Sequence, residues 1–291
     1  VGNTPWQQRI KRAEKLAAQH SFAAEILGFY VQVAGFQEGL YQRIESSVGN
    51  GGGDSRARAL AGRQLDSRRD AGATAWGAAL LPAGLSGWAQ PELLAAFPQF
   101  LSLIEQKAPA RLTQVAHDLR QTHSGSLTEL LSRCWSDTKS PSEAQEFLAL
   151  ALLQPYAEFV RSLAQLQLEG YNSSFCPLCN RQPVCSILRP LGDGGRRSLL
   201  CGFCLTEWEF RRIICPACGQ EDHAKLPVYT AEAFPHIRVE CCDACHTYIK
   251  SIDLTKAGLA EPLVDELAAL PLDLWAQERG YVKLRPNLLG M

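Results

Sequence analysis

Apolar residues recur at steps of three and four over most of the first 170 positions, and that period then disappears until the tail. Residues 5–47 read as two helices. In the second, Ile26, Tyr30, Val33, Gln37, Leu40 and Ile44 form one stripe with a single polar interruption. Residues 49–54, rich in Gly and Asn, read as a break that cannot hold a helix. The Arg-rich run that follows, to Arg69, reads as an exposed loop or short helix with a solvated face. Helical spacing resumes near Pro91 and continues to Leu168. Leu127, Leu130, Leu131 and Cys134 share a stripe there, so Cys134 is expected in the core as a small hydrophobe. Ser140-Pro141-Ser142-Glu143 has the form of a capping box, with proline at the first helical position. The helix it starts carries Leu148, Leu152, Tyr156, Phe159, Leu163 and Leu166 on one side, and Pro155 within it predicts a kink or a break.

From Tyr171 to about Leu254 only short β-like pieces remain, at 184–189, 197–201, 207–213, 226–230, 236–241 and 247–252. Helical patterning returns near 262–270 and 272–280. The expected layout is α+β: an N-terminal all-helical domain (1–170), two small β modules (171–213 and 214–256) and a C-terminal helical tail (257–291).

Composition narrows the classes. With 291 residues, 46% hydrophobic and 20% charged, the chain can bury a core, which rules out wholesale disorder. No run of 18 apolar residues occurs, so no membrane insertion is expected. Lys and Arg number 29 against 30 Asp and Glu, which argues against nucleic acid as an obligate partner. The first thirty residues lack the basic, apolar, cleavage order of a secretory signal, so the expected location is cytoplasmic.

Eleven cysteines change the picture, because ten fall between Cys176 and Cys245 and eight of those form Cys-x-x-Cys pairs. The pairs are Cys176/Cys179, Cys201/Cys204, Cys215/Cys218 and Cys242/Cys245. The first and third open with Cys-Pro and lie 39 residues apart, while the second and fourth lie 41 apart, so the region is an internal duplication. Two intervening residues let a tight turn aim both sulfurs at one point. Pro177 and Pro216 pre-set the turn, and Asn180 and Gly219 supply left-handed geometry after it. One four-cysteine site per unit is expected, with sequential pairing favoured over an interleaved cross-brace. Four thiolates suit Zn²⁺ or a single iron, whereas Mg²⁺ and Ca²⁺ prefer oxygen. Arg181, Arg211 and Arg212 are candidate donors to offset the thiolate charge. Thioredoxin-type disulfides and a [4Fe–4S] cluster are the rival chemistries. Cys185 and Cys241 are left as spare thiols with packing roles, and His223, His236 and His246 are not needed as ligands. No Ser/His/Asp set, phosphate loop or catalytic carboxylate pair is found, so no enzyme activity is expected and no catalytic residue is assigned.

The chain resembles the FdhE family of accessory proteins for bacterial formate dehydrogenase biogenesis. The resemblance rests on Phe175-Cys-Pro-Leu-Cys179, Leu200-Cys-Gly-Phe-Cys-Leu-Thr-Glu-Trp208, Ile214-Cys-Pro-Ala-Cys-Gly219 and Glu240-Cys-Cys-Asp-Ala-Cys-His-Thr-Tyr-Ile-Lys250. Asp265-Glu-Leu-Ala-Ala-Leu270 to Gly280-Tyr281 is similar to the family's closing segment. The resemblance implies two tandem rubredoxin-like or zinc-ribbon-like modules holding two mononuclear metal ions, with iron favoured and zinc the alternative. It further implies cytoplasmic contact with the catalytic subunit of formate dehydrogenase before export, supporting that subunit's maturation as a chaperone does. Leu205 and His246, where the duplicated pattern has Asn180 and Gly219, leave the geometry of two of the turns open. Two other classes remain: a zinc-ribbon adaptor for nucleic acid and a small electron-transfer protein. The first would need a basic surface, yet residues 171–256 hold ten Lys and Arg against nine Asp and Glu.

Overall fold

The computed structural model describes residues 4–50, 65–66, 89–137, 142–192 and 194–290. The helical half contains α1 (Pro5–Gln19), α2 (Ala24–Asn50), α3 (Ala89–Lys107), α4 (Ala110–Arg120), α5 (Ser124–Trp135) and α6 (Glu143–Leu163). Thr4 caps α1 by accepting from the Gln7 N–H, and Pro5 takes the first turn, where a missing donor costs nothing. The helix α2 runs through Gly49 to Asn50, further than the Gly-rich break suggested; the rest of that break and, apart from Leu65 and Asp66, the Arg-rich run lie outside the described residues. The cap of α6 is Ser142, which accepts from the Gln145 N–H at 3.2 Å, two residues later than expected from Ser140. Ser142 heads its own Ser-x-x-Gln pattern, which fits a capping box equally well. Ser140 and Pro141 lie outside the described residues.

Pro155 neither breaks nor ends α6, which is one helix from Glu143 to Leu163. A proline at 155 has no N–H to offer the carbonyl of Ala151, four residues back. That carbonyl accepts instead from the side chain of Gln37 at 2.7 Å, and the second Gln37 N–H reaches Gln154 Oε1 at 2.9 Å. The polar interruption in the α2 stripe is therefore the repair of a proline defect in the neighbouring helix. Gln154 in turn donates to the Gly202 carbonyl at 2.9 Å, which ties both helices to the cysteine region.

The two-residue strands β1 (Leu65–Asp66) and β2 (Leu166–Gln167) pair in parallel. The second half contains β3 (Cys185–Leu191), β4 (Gly194–Leu200), β5 (Glu207–Glu209), β6 (Val228–Ala231), β7 (Phe234–Cys242), β8 (Thr247–Asp253) and β9 (Val282–Lys283). They form one sheet in the order β5-β4-β3-β8-β7-β6, with β9 added to β8. Within each duplicated unit the three strands are antiparallel neighbours. The units join where β3, the first strand of one, runs parallel to β8, the last strand of the other, with Cys185 opposite Lys250 and Leu188 opposite Asp253. The piece expected at 207–213 stays in the sheet only as Glu207–Glu209.

The tail helices α7 (Pro262–Ala268) and α8 (Leu270–Glu278) cover one face of the sheet. Ile237, Val239, Cys241 and Tyr248 pack there with Ala269, Leu272 and Ala276. Val184, Cys185, Ile187 and Ile252 pack with Ala260 and Leu263. Cys134 is buried in the helical core, as its stripe suggested. Among the described residues, no helix is long and apolar enough to cross a membrane.

The Gln37 repair makes a prediction. Replacing Gln37 with Leu should destabilise the chain by about 1–3 kcal/mol, because a buried carbonyl loses its donor. Adding Pro155→Ala to that variant should recover part of the loss by restoring the helical N–H. Urea denaturation midpoints of the single and double variants measure both effects.

Candidate metal centres

Each opening turn precedes the first strand of its unit, and each closing turn joins its second strand to its third. All four turns are built alike. Asn180, Leu205, Gly219 and His246, the residues just after each pair, all have positive φ, between 55° and 75°. Leu205 and His246 thus adopt the left-handed conformation that the pattern left open for them. The chain then folds back on itself: the N–H of Asn180, Gly219 and His246 donates to the carbonyl of the first cysteine of its turn, at 2.8–3.0 Å. The Cys176, Cys201 and Cys215 N–H groups close the turns by donating to the carbonyls of Arg181, Thr206 and Gln220.

This geometry brings Cys176, Cys179, Cys201 and Cys204 together as one group and Cys215, Cys218, Cys242 and Cys245 as another, with the sulfurs of each group within 4.8 Å of one another. The grouping is sequential, without a cross-brace. In the first group Cys176–Cys204, Cys179–Cys201 and Cys179–Cys204 sulfurs lie 3.5, 3.3 and 3.6 Å apart. In the second, Cys215–Cys245 and Cys218–Cys242 are both at 3.7 Å. A tetrahedral ion with metal–sulfur bonds of about 2.3 Å places its sulfurs about 3.8 Å apart, whereas a disulfide needs about 2.05 Å. All eight are free thiols, and both donor sets fit a thiophilic ion.

The charge-offsetting donors differ from expectation. Arg181 turns away, with Nε on Asp137 at 3.1 Å, Nη2 on the Cys134 carbonyl and its guanidinium 3.7 Å from the Phe203 ring centre. Arg211 pairs with Glu221, and Arg212 donates to the Gly195 carbonyl at 3.5 Å. Local groups face the sulfurs instead. The Phe203 and Ala217 N–H groups donate to Cys201 and Cys215, each at 3.4 Å, and the Thr206 hydroxyl lies 3.2 Å from Cys204 Sγ.

Without an ion, burial favours the protonated form of four of these thiols. Burial pushes Cys176 and Cys179 well above the ordinary thiol range, and burial likewise raises Cys215 and Cys242. One thiol in each group goes the other way. Burial opposes ionisation of Cys201, but hydrogen bonds from Cys176, Cys179 and Cys204 outweigh it. Burial also opposes ionisation of Cys245, which hydrogen bonds from Thr247, Cys218 and Cys242 bring down to about 7. Filling either group with metal must therefore release protons, and affinity should rise with pH. Cys185 and Cys241 face the tail helices, and burial drives Cys185 well up and Cys241 up to about 12. Both are poor nucleophiles near neutrality. His236 bonds Asp265 at 2.7 Å, while His223 and His246 are exposed.

The residues after the turns have their own partners. Glu207 forms a two-point ion pair with Arg189 at 2.7 and 2.8 Å, and buried Trp208 donates to the Ser173 carbonyl. Lys250, fully buried, contacts Glu266 at 2.9 Å and Asp273 at 2.6 Å. Lys283 pairs with the same two carboxylates, Tyr248 donates to Asp273 at 2.8 Å, and Asn287 donates to Glu266 at 3.0 Å. This buried charge cluster was invisible in sequence. The sequence offers only a lysine that follows Tyr248 and Ile249 inside a β-like piece.

Helices on one side, a single duplicated sheet on the other and a four-cysteine cluster in each unit define an α+β protein with two Cys₄ clusters that could hold metal ions. The chain matches the family description "FdhE, central domain" over residues 175–212 and "FdhE, C-terminal domain" over residues 213–289. A protein FdhE homolog from Aquifex aeolicus is 31% identical over 202 residues, covering 69% of this chain and 71% of that protein. One from Shewanella oneidensis is 28% identical, covering 65% of this chain and 60% of that protein. One from Pseudomonas putida is 32% identical, covering 51% of this chain and 49% of its own length. The crystal structure of the FdhE protein from Pseudomonas aeruginosa shares the fold with a TM-score of 0.64 at 22% identity, over 99% of this chain and 97% of that one. The chain belongs to the FdhE family.

Two outcomes follow from the clusters. A chain with both Cys215→Ser and Cys218→Ser should keep one equivalent of metal where the parent holds two, as elemental analysis would show. Replacing Lys250 with Met should destabilise by about 3–5 kcal/mol, since it strands buried carboxylates. Burial raises Glu266, but attraction to Lys250 and Lys283 outweighs it and holds the carboxyl at about 2 against an ordinary 4.5. Its contribution to stability is present above pH 4.5 and should fade as the pH falls toward 2; Glu266→Gln should flatten thermal melts across that window.

Proposed function

We propose that this chain is a cytoplasmic accessory protein of respiratory formate dehydrogenase, binding the catalytic subunit before export and supporting its maturation. Family membership carries this reading, together with two preformed four-sulfur clusters in a chain whose sequence offers no catalytic set. In this reading Cys176, Cys179, Cys201 and Cys204 ligate one ion, and Cys215, Cys218, Cys242 and Cys245 ligate the other. The working units are the helical domain 1–170, the modules 171–213 and 214–256, and the tail 257–291. Iron is the favoured occupant; bound iron would supply one-electron chemistry, whereas zinc would only cross-link. The protein's own part is to hold four thiolates at tetrahedral spacing and to offset their charge with turn N–H groups.

A nucleic-acid adaptor is less well supported, because nine acidic residues balance ten basic ones across the modules before thiolate charge is counted. Retention of the catalytic subunit on the immobilised chain, well above that of an unrelated exported protein, is the expected result; equal retention would refute the client assignment. Anaerobically purified protein should be coloured and carry two equivalents of iron, and a colourless zinc form would shift both sites to a purely structural role.

A further inference from the structure

The duplicated units share turns that end in a left-handed residue but have unequal surroundings, and the difference lies in the third residue of each Cys-x-x-Cys. In the first unit these residues are Leu178 and Phe203, both buried in the main core with the helices. Phe203 meets the Trp135 ring edge-on at 5.8 Å and the Arg181 guanidinium at 3.7 Å, and the Gln154 side chain donates to the Gly202 carbonyl beside it. Of its four cysteines, three are 0% exposed and Cys179 is 9% exposed. In the second unit the corresponding residues are Ala217 and Ala244, both exposed. Two alanines give the second pair of turns no apolar knob to bury. Cys215 and Cys242 stay buried, but Cys218 is exposed and Cys245 half-buried.

We infer that the two sites divide the work: the first is a sealed clamp between sheet and helical body, and the second is an open centre that trades its ion with soft donors from solvent. This rests on the reading that both clusters hold metal. An incoming thiol or chelator reaches the ion over Cys218. Each new metal–donor bond would form as one cysteine–metal bond breaks, until all four sulfurs are free and protonated from solvent, with no change in oxidation state. Attack at the first site needs the helices to lift away beforehand, so its rate is limited by local opening.

The full-length chain loaded with two equivalents of Co²⁺ and mixed with excess EDTA tests this through the loss of thiolate-to-cobalt absorption. One equivalent should leave at least about tenfold faster than the other, as an accessible site does relative to one that must first open. The Cys218→Ser chain should bind one equivalent and show only the slow phase. Phe203→Ala should speed the slow phase and leave the fast one unchanged. Amide exchange in α5, which carries Trp135, should stay protected after the fast ion has gone and open only with the slow one. A single phase for both ions, or a fast phase that survives Cys218→Ser, would overturn the division of labour. A chain that binds no cobalt at all would instead overturn the reading beneath it.

Discussion

Burying four sulfurs in the main core is the constraint around which the molecule is arranged. Thiolates are poor company for Trp135, Tyr156 and Phe203, and a cluster of four would be intolerable there without counter-charge. The chain answers locally, with turn N–H groups and the Thr206 hydroxyl facing sulfur. The surrounding helices supply shape and hydrogen bonds to the backbone, as Gln154 does at Gly202. The helical body and the sheet therefore share one core. Neither buries its apolar surface without the other.

Much of this was legible beforehand, because the signals were periodic or strictly spaced. The helices at both ends, the β-like pieces and the grouping of the eight cysteines all rest on local chemistry that a sequence displays. The misses involved partners distant along the chain. Gln37 looked like a flaw in a stripe, and only Ala151, 114 positions later, shows what it is for. Pro155 suggested a kink or a break, and α6 runs on unbroken because its missing donor is replaced from another helix. Arg181 looked like a counter-ion for the nearby thiolates, yet its guanidinium is taken by Asp137 and the end of α5.

The residues that carry the resemblance also divide by task. Cys, Pro and the left-handed residues build the turns. Thr206, Glu207 and Trp208 lock the first closing turn to β4, Arg189 and the Ser173 carbonyl. Tyr248 and Lys250 serve the tail, meeting Glu266, Asp273 and Lys283 in a buried charge cluster. Such a cluster adds little net stability when complete but is costly to break, and it ties α7 and α8 to β8 and β9. The motif that singles out the second unit is thus as much about the tail as about metal.

The parallel joint between β3 and β8 has a consequence for how such a protein can be divided. Each unit contributes an interior strand to the common sheet, so separating the two units would strip the β3 and β8 partners from residues 185–188 and 250–253, leaving a raw edge on each fragment. Raw edges of that kind recruit whatever strand is at hand, including a second copy. Either half of the duplication, alone, would be sticky.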